Sequence, residues 1–133
     1  DEHLDAASQL NVDFWVVGPR RRPDEVEPAI RRAVFEMQRA AFQIAIPPGF
    51  EPLVLTPPAY HRLGEIRAPT LILIGDADVP SVQALARKAA AEIPGARLIE
   101  RKNVGHMVTM ERPAEIEPLL RAFWSSAGRP RHS

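Results

Sequence analysis

Cysteine is absent from these 133 residues. Disulfides, thiolate nucleophiles and cysteine-ligated zinc are therefore excluded. Net charge is absent too: seventeen Lys and Arg balance seventeen Asp and Glu. That balance argues against a nucleic-acid partner, whose binding relies on a basic face. No apolar run approaches the roughly 18 residues of a membrane-spanning helix. The longest, Leu71 to Ile74, is strand-sized, so no membrane partner is expected. Internal repeats and low-complexity tracts are missing as well. The lack of cysteine fits a cytoplasmic location. A chain whose first residue is Asp1 is also compatible with a signal peptide already removed.

Proline, by contrast, is plentiful. Fourteen residues are roughly double the average usage, and they cut the chain into short segments. Hydrophobic residues at 45% and charged residues at 26% are ordinary for one globular domain.

Residues 1 to 23 are mixed. Phe14-Trp15-Val16-Val17 is an apolar cluster that docks on something. The run Arg20-Arg21-Arg22 reads as a solvated loop. From 24 to about 46, Val26, Ile30, Val34, Met37, Ala41 and Ile44 recur at steps of three and four, the stripe of an amphipathic helix. Asp24 with Glu27 resembles a capping box, although Pro28 also suits a first helical position. Phe35 and Phe42 lie off the stripe, on a second face. Residues 47 to 69 hold six prolines and read as a connector, with a short helix from Pro57 to Gly64.

The pattern sharpens after Pro69. Thr70 to Ile74 is continuously apolar and rich in β-branched residues, as in a strand buried on both faces of a parallel sheet. Val82, Leu85, Ala86, Ala89 and Ile93 form a helical stripe stopped by Pro94-Gly95. Ala96 to Arg101 is a weaker strand, nearer a sheet edge. Ile116, Leu119, Leu120 and Phe123 make a closing helix that Pro118 should kink. A polar, frayed tail is expected from Ser125 to Ser133. The fold class is α/β, with a βαβα unit of right-handed connection.

Open parallel sheets collect functional groups at the carboxyl ends of their strands. Asp78 follows the first strand here and His106 follows the second, so both loops emerge on one side. A carboxylate on one ring nitrogen fixes the tautomer and leaves the other nitrogen to act as a general base. Asp76 is the rival acid. The plainer reading of Asp78 is a cap on the following helix, and that of His106 a half-buried loop histidine. Gly75 and Gly105 fit tight turns, and Glu111 a cap or salt bridge near the last helix. His3, His61 and His132 show no ligand spacing, so no metal is expected.

The stretches Ala68-Pro69-Thr70-Leu71-Ile72-Leu73-Ile74-Gly75-Asp76-Ala77-Asp78, Ile93-Pro94-Gly95-Ala96-Arg97, Gly105-His106-Met107 and Glu111-Arg112-Pro113 follow one another in that order. Together they resemble the carboxy-terminal part of an α/β-hydrolase, over residues 63 to 124. The resemblance implies that Asp78 is the acid and His106 the histidine of a nucleophile–acid–histidine triad. It also divides the chain into a cap segment and connector, 1–62, and the carboxy-terminal part of the hydrolase core, 63–133. A small-molecule substrate and no cofactor are implied. Trp15, Phe35, Met37, Phe42 and Met107 are the residues expected around the substrate, with core packing as their alternative.

The nucleophile elbow of that family, G-x-S-x-G, is missing: Ser8, Ser81, Ser125, Ser126 and Ser133 lack the flanking glycines. The expectation is a serine-type hydrolase of esters or related carbonyl compounds, present here as its carboxy-terminal half and inactive without the rest. Its partner is the missing amino-terminal half or a swapped homodimer copy. The alternative is an inert or interacting piece that pairs through an open sheet edge.

Overall fold

The computed structural model describes residues 2–127. Two strands form its sheet, β1 (Leu71–Gly75) and β2 (Arg97–Arg101). They pair in parallel, with Leu71 opposite Arg97 and Gly75 opposite Arg101. Helix α3 (Pro80–Glu92) joins them and packs on both. Pro80 occupies its first turn, where a missing N–H costs nothing. Ala86 and the following Ile93 are buried beneath it.

The βα order matches the sequence pattern, but β1 is buried at only one end. Ile74 and Gly75 are buried, while Leu71, Ile72 and Leu73 are half-buried. Among the described residues β1 has a neighbouring strand on one side alone, so its other edge is unpaired.

After β2 come the short α4 (Val108–Glu111) and α5 (Pro113–Ala127). Helix α5 continues through Pro118, which is exposed. The carbonyl that Pro118 leaves without an N–H partner is thus on the solvent side. Ile116 of α5 packs with Val104 and Val108, and Leu73, Leu119 and Leu120 close that cluster. Residues 125–127 are helical, and the rest of the expected polar tail lies outside the described residues.

The amino-terminal region is more ordered than its mixed composition suggests. Helix α1 (Glu2–Asn11) runs directly into a wider π-type turn, Val12–Val17, that stops at Gly18. Gly18 closes it with φ +75°, and its N–H reaches the Asp13 carbonyl five residues back. Val12 and Val16 face inward with Val26 and Val34, and Ile30, Phe35, Met107 and Met110 pack around them. Each such fully buried valine contributes about 1.5–3 kcal/mol.

Helix α2 (Pro28–Phe42) starts later than the periodicity implies. The expected Asp24–Glu27 box does not form. A short 3₁₀ turn at Pro23–Glu25 comes first, and there the Arg22 N–H donates to the Glu25 carboxylate at 2.7 Å. The apolar stripe is inside at Val26, Ile30 and Val34, but Met37 and Ile44 are exposed. The connector from 43 to 62 is exposed throughout. In place of one short helix from Pro57 to Gly64 there are two 3₁₀ turns, Ala59–His61 within the connector and Leu63–Glu65 just after it. Ile46, Phe50, Leu53 and Val54 all stand out into solvent there. No helix among the described residues is long and apolar enough to cross a membrane.

Candidate active site

The two strands deliver their loops to one place, and the loops are zipped together beyond the sheet. The Asp76 N–H donates to the Arg101 carbonyl at 2.9 Å, and the Ala77 N–H to the Val104 carbonyl at 3.0 Å. This approach explains the glycine that ends β1. A Cβ at Gly75 would collide with the Val104 carbonyl and would lie 2.5 Å from that of Gly105.

Asp78 stands one turn further on and is 1% exposed. Its two carboxylate oxygens have separate tasks. Oδ1 accepts the Val79 N–H at 2.6 Å. Oδ2 meets Nδ1 of His106 at 2.8 Å. A buried carboxylate needs such partners, since desolvation without them is costly. Gln83 of α3, also buried, donates to the backbone carbonyls of Asp78 (2.7 Å) and Asp76 (3.0 Å) and so fixes the turn. Sequence reasoning missed Gln83. Its place one turn into the helix after the acid is the pattern that would have found it.

Asp76, the rival acid, is turned elsewhere. Its Oδ1 accepts the Asn103 N–H at 2.6 Å, and Oδ2 lies 3.3 Å from the Lys102 ammonium. It braces one loop on the other while Asp78 reaches the imidazole.

His106 is seated from three directions. Asp78 holds Nδ1. The Trp15 carbonyl accepts its backbone N–H at 3.1 Å. The Trp15 ring lies 4.8 Å from the imidazole, centroid to centroid, with the planes tilted by 47°. The His106 side chain is 40% exposed, and its Nε2 makes no hydrogen bond among the described residues. An acceptor-only carboxylate at Nδ1 places the proton there and leaves the Nε2 lone pair facing outward. That arrangement can take a proton from a neighbouring hydroxyl and return it.

The run of three arginines is not a solvated loop throughout. Arg20 donates to the Asp76 carbonyl at 3.0 Å. Arg21 is buried and paired with Glu111, at 2.5 and 3.1 Å from its two oxygens. Arg20 and Arg22 are both exposed, and Arg22 pairs with its own turn, through Asp24 and Glu25.

An apolar cavity of about 820 Å³ adjoins the pair, lined by Leu10, Phe14, Trp15, Pro19, Val79 and Pro80 among others. Cavities of this size hold small organic ligands. Asp78 and His106 are not in its wall. It reaches them through Trp15, which lies against His106, and Val79, which follows Asp78. Of the residues expected around a substrate, Trp15 lines the cavity. Phe35 and Met107 pack against the valine cluster, while Met37 and Phe42 are exposed and outside the lining. Among the described residues no three His, Asp or Glu side chains are grouped to hold a metal ion.

A family model described as the alpha/beta hydrolase family matches residues 3–119. No curated protein matches the chain. Several solved structures do. One, described as an N-acyl homoserine lactone degrading enzyme, is 30% identical with a TM-score of 0.56 over 92% of this chain and 48% of its own. The naproxen esterase (carboxylesterase NP) of Bacillus subtilis is 20% identical, with a TM-score of 0.62 over 92% of this chain and 43% of its own. The enol-lactonase of Burkholderia xenovorans LB400 is 18% identical, with a TM-score of 0.63 over 93% and 46%. The chain thus spans less than half the length of these structures.

Proposed function

The chain belongs to the alpha/beta hydrolase family and carries part of its fold, and on that premise we propose that it supplies the acid and the base of a hydrolase acting on esters, lactones or related carbonyl compounds. The observation that carries this reading is the 2.8 Å contact between Asp78 Oδ2 and His106 Nδ1. The nucleophile is contributed from outside these 133 residues, since no serine here has an elbow sequence. Its hydroxyl oxygen attacks the carbonyl carbon while the proton passes to His106 Nε2. Asp78 stabilises the imidazolium that forms. The tetrahedral intermediate collapses as His106 returns the proton to the departing alkoxide. A water molecule then repeats the sequence on the acyl intermediate. The apolar cavity beside Trp15 takes the hydrocarbon part of the substrate, and residues 1–62 act as the cap that shapes it. This role needs no cofactor.

The test joins this chain to a nucleophile-bearing amino-terminal half and follows hydrolysis of p-nitrophenyl esters of graded acyl length. His106→Ala should lower kcat at least 10²- to 10⁴-fold, the usual weight of a general base. Undiminished turnover in that variant would remove His106 from the role.

A second reading is favoured by the unpaired edge of β1 and the exposed Ile46, Phe50, Leu53 and Val54. On that reading the chain is an inert or interacting piece that pairs with another copy. Size-exclusion chromatography separates the two. A cooperative, stable monomer of 14.8 kDa argues against obligatory edge pairing.

A further inference from the structure

We propose that the buried Arg21–Glu111 pair is a positioning device for His106. Its importance to chemistry rests on the hydrolase reading above, whereas its geometry does not. The helical segment that ends at Gly18 leaves its last carbonyls without helical partners. The Trp15 carbonyl receives the His106 N–H at 3.1 Å. The next two, of Val16 and Val17, receive Nη2 and Nε of Arg21. A cation is electrostatically suited to that helix end.

The same guanidinium then crosses to the histidine loop. Nη1 donates to the Asn103 carbonyl at 3.1 Å and to Glu111 Oε2 at 2.5 Å, and Nη2 to Glu111 Oε1 at 3.1 Å. Oε1 of Glu111 also accepts the Gly105 N–H at 2.9 Å. The backbone is therefore gripped at 103, 105 and 106, and the residue gripped last is the base. Gly105 must be glycine for this to close, because a Cβ would strike the Arg21 guanidinium and lie 2.6 Å from the Val16 carbonyl oxygen.

The two side chains are 2% and 5% exposed. A buried ion pair is a weak source of stability compared with apolar residues of equal volume, so its value lies in the single seating it imposes. The hydrogen bonds of the two side chains go to the backbone and to each other and not to Asp78 or the imidazole. Arginine is required over lysine, since only a planar fork satisfies the Val16, Val17 and Asn103 carbonyls and both Glu111 oxygens together.

The experiment is NMR of the histidine-¹⁵N-labelled chain, following the downfield Nδ1–H resonance held against Asp78 and assigned by its loss in His106→Asn. Arg21→Lys and Glu111→Ala should each lose that resonance to solvent exchange while the far-UV circular dichroism stays native. Glu111→Gln keeps an acceptor for the Gly105 N–H and should retain it. A resonance unchanged in both Arg21→Lys and Glu111→Ala overturns the proposal. So does collapse of resonance and helical signal together, which would make the pair a general stabiliser. If the resonances behave as expected but His106→Ala leaves ester turnover intact, the hydrolase reading fails and the positioning role stands.

Discussion

Trp15 and His106 are joined twice, by a backbone hydrogen bond of 3.1 Å and by rings whose centroids lie 4.8 Å apart. The backbone bond seats the histidine peptide, and the ring forms a wall shared by the imidazole and the apolar cavity. Trp15→Ala should leave the first intact and remove the second. Aromatic contacts of this kind are worth about 0.5–1.5 kcal/mol beyond area burial. The expected outcome is a KM for long-chain esters raised about tenfold, with kcat lowered less. Steady-state kinetics across acyl lengths reads this directly, and a KM independent of Trp15 would detach the cavity from substrate binding.

The two aspartates after β1 should separate cleanly. Asp78→Asn keeps the shape but removes the charge that stabilises an imidazolium, and a fall in kcat of about 10⁴-fold is expected from the equivalent change in a serine-protease triad. Asp76→Asn touches only Asn103 and Lys102 and should cost less than tenfold. Reversal of that order in single-turnover kinetics would give the acid role to Asp76.

Gly75→Ala should be among the most damaging small substitutions. The new Cβ meets backbone carbonyls of the neighbouring loop, which have no rotamer to give. A loss of about 3 kcal/mol or more follows, read as a lowered urea midpoint with an unchanged slope. Gly95, with nothing near a built Cβ, has only its φ of +73° to object, and Gly95→Asn should be mild.

Acid should loosen the contact of α1 with α2. The hydrogen bond from Arg39 holds the Asp5 carboxyl below its ordinary value of 3.8. A lowered folded-state value means stability that is present above the ordinary value and is lost as pH falls through the lowered one. The urea midpoints of the native chain and of Asp5→Asn should therefore differ by a constant above about pH 4 and converge below it. A difference that grows on acidification would contradict the sign.

Much of the sheet and its loops was legible in the residues. Leu71 to Ile74 is apolar without interruption, and the stripe Val82 to Ile93 is helical, so the order of elements follows from period alone. Asp78 and His106 were visible because strand-end loops of a parallel sheet converge. Helix α1 was not, because the inner face that runs from it into the following π-type turn reads Leu4, Ser8, Val12, Val16 and the serine breaks the apolar stripe. That hydroxyl is satisfied locally, by the Leu4 carbonyl at 2.7 Å, which is how it can be fully buried. Arg21 was hidden by its neighbours, since three consecutive arginines look solvated. The clue was Gly18-Pro19 just before them, a helix stop with a cation within one turn. The outer half of the stripe misled in the other direction: Met37 on α2 and Ile44 just beyond its end are exposed.

The peptide of His106 rests on a carbonyl contributed by residue 15, and its loop on a guanidinium contributed by residue 21. His106 is thus housed by a stretch far upstream of the strands that carry it. A chimera in which the first 62 residues are exchanged for those of a relative would replace the socket along with any substrate preference. Such a graft keeps His106 seated only when the incoming segment brings its own stopped helix and its own arginine.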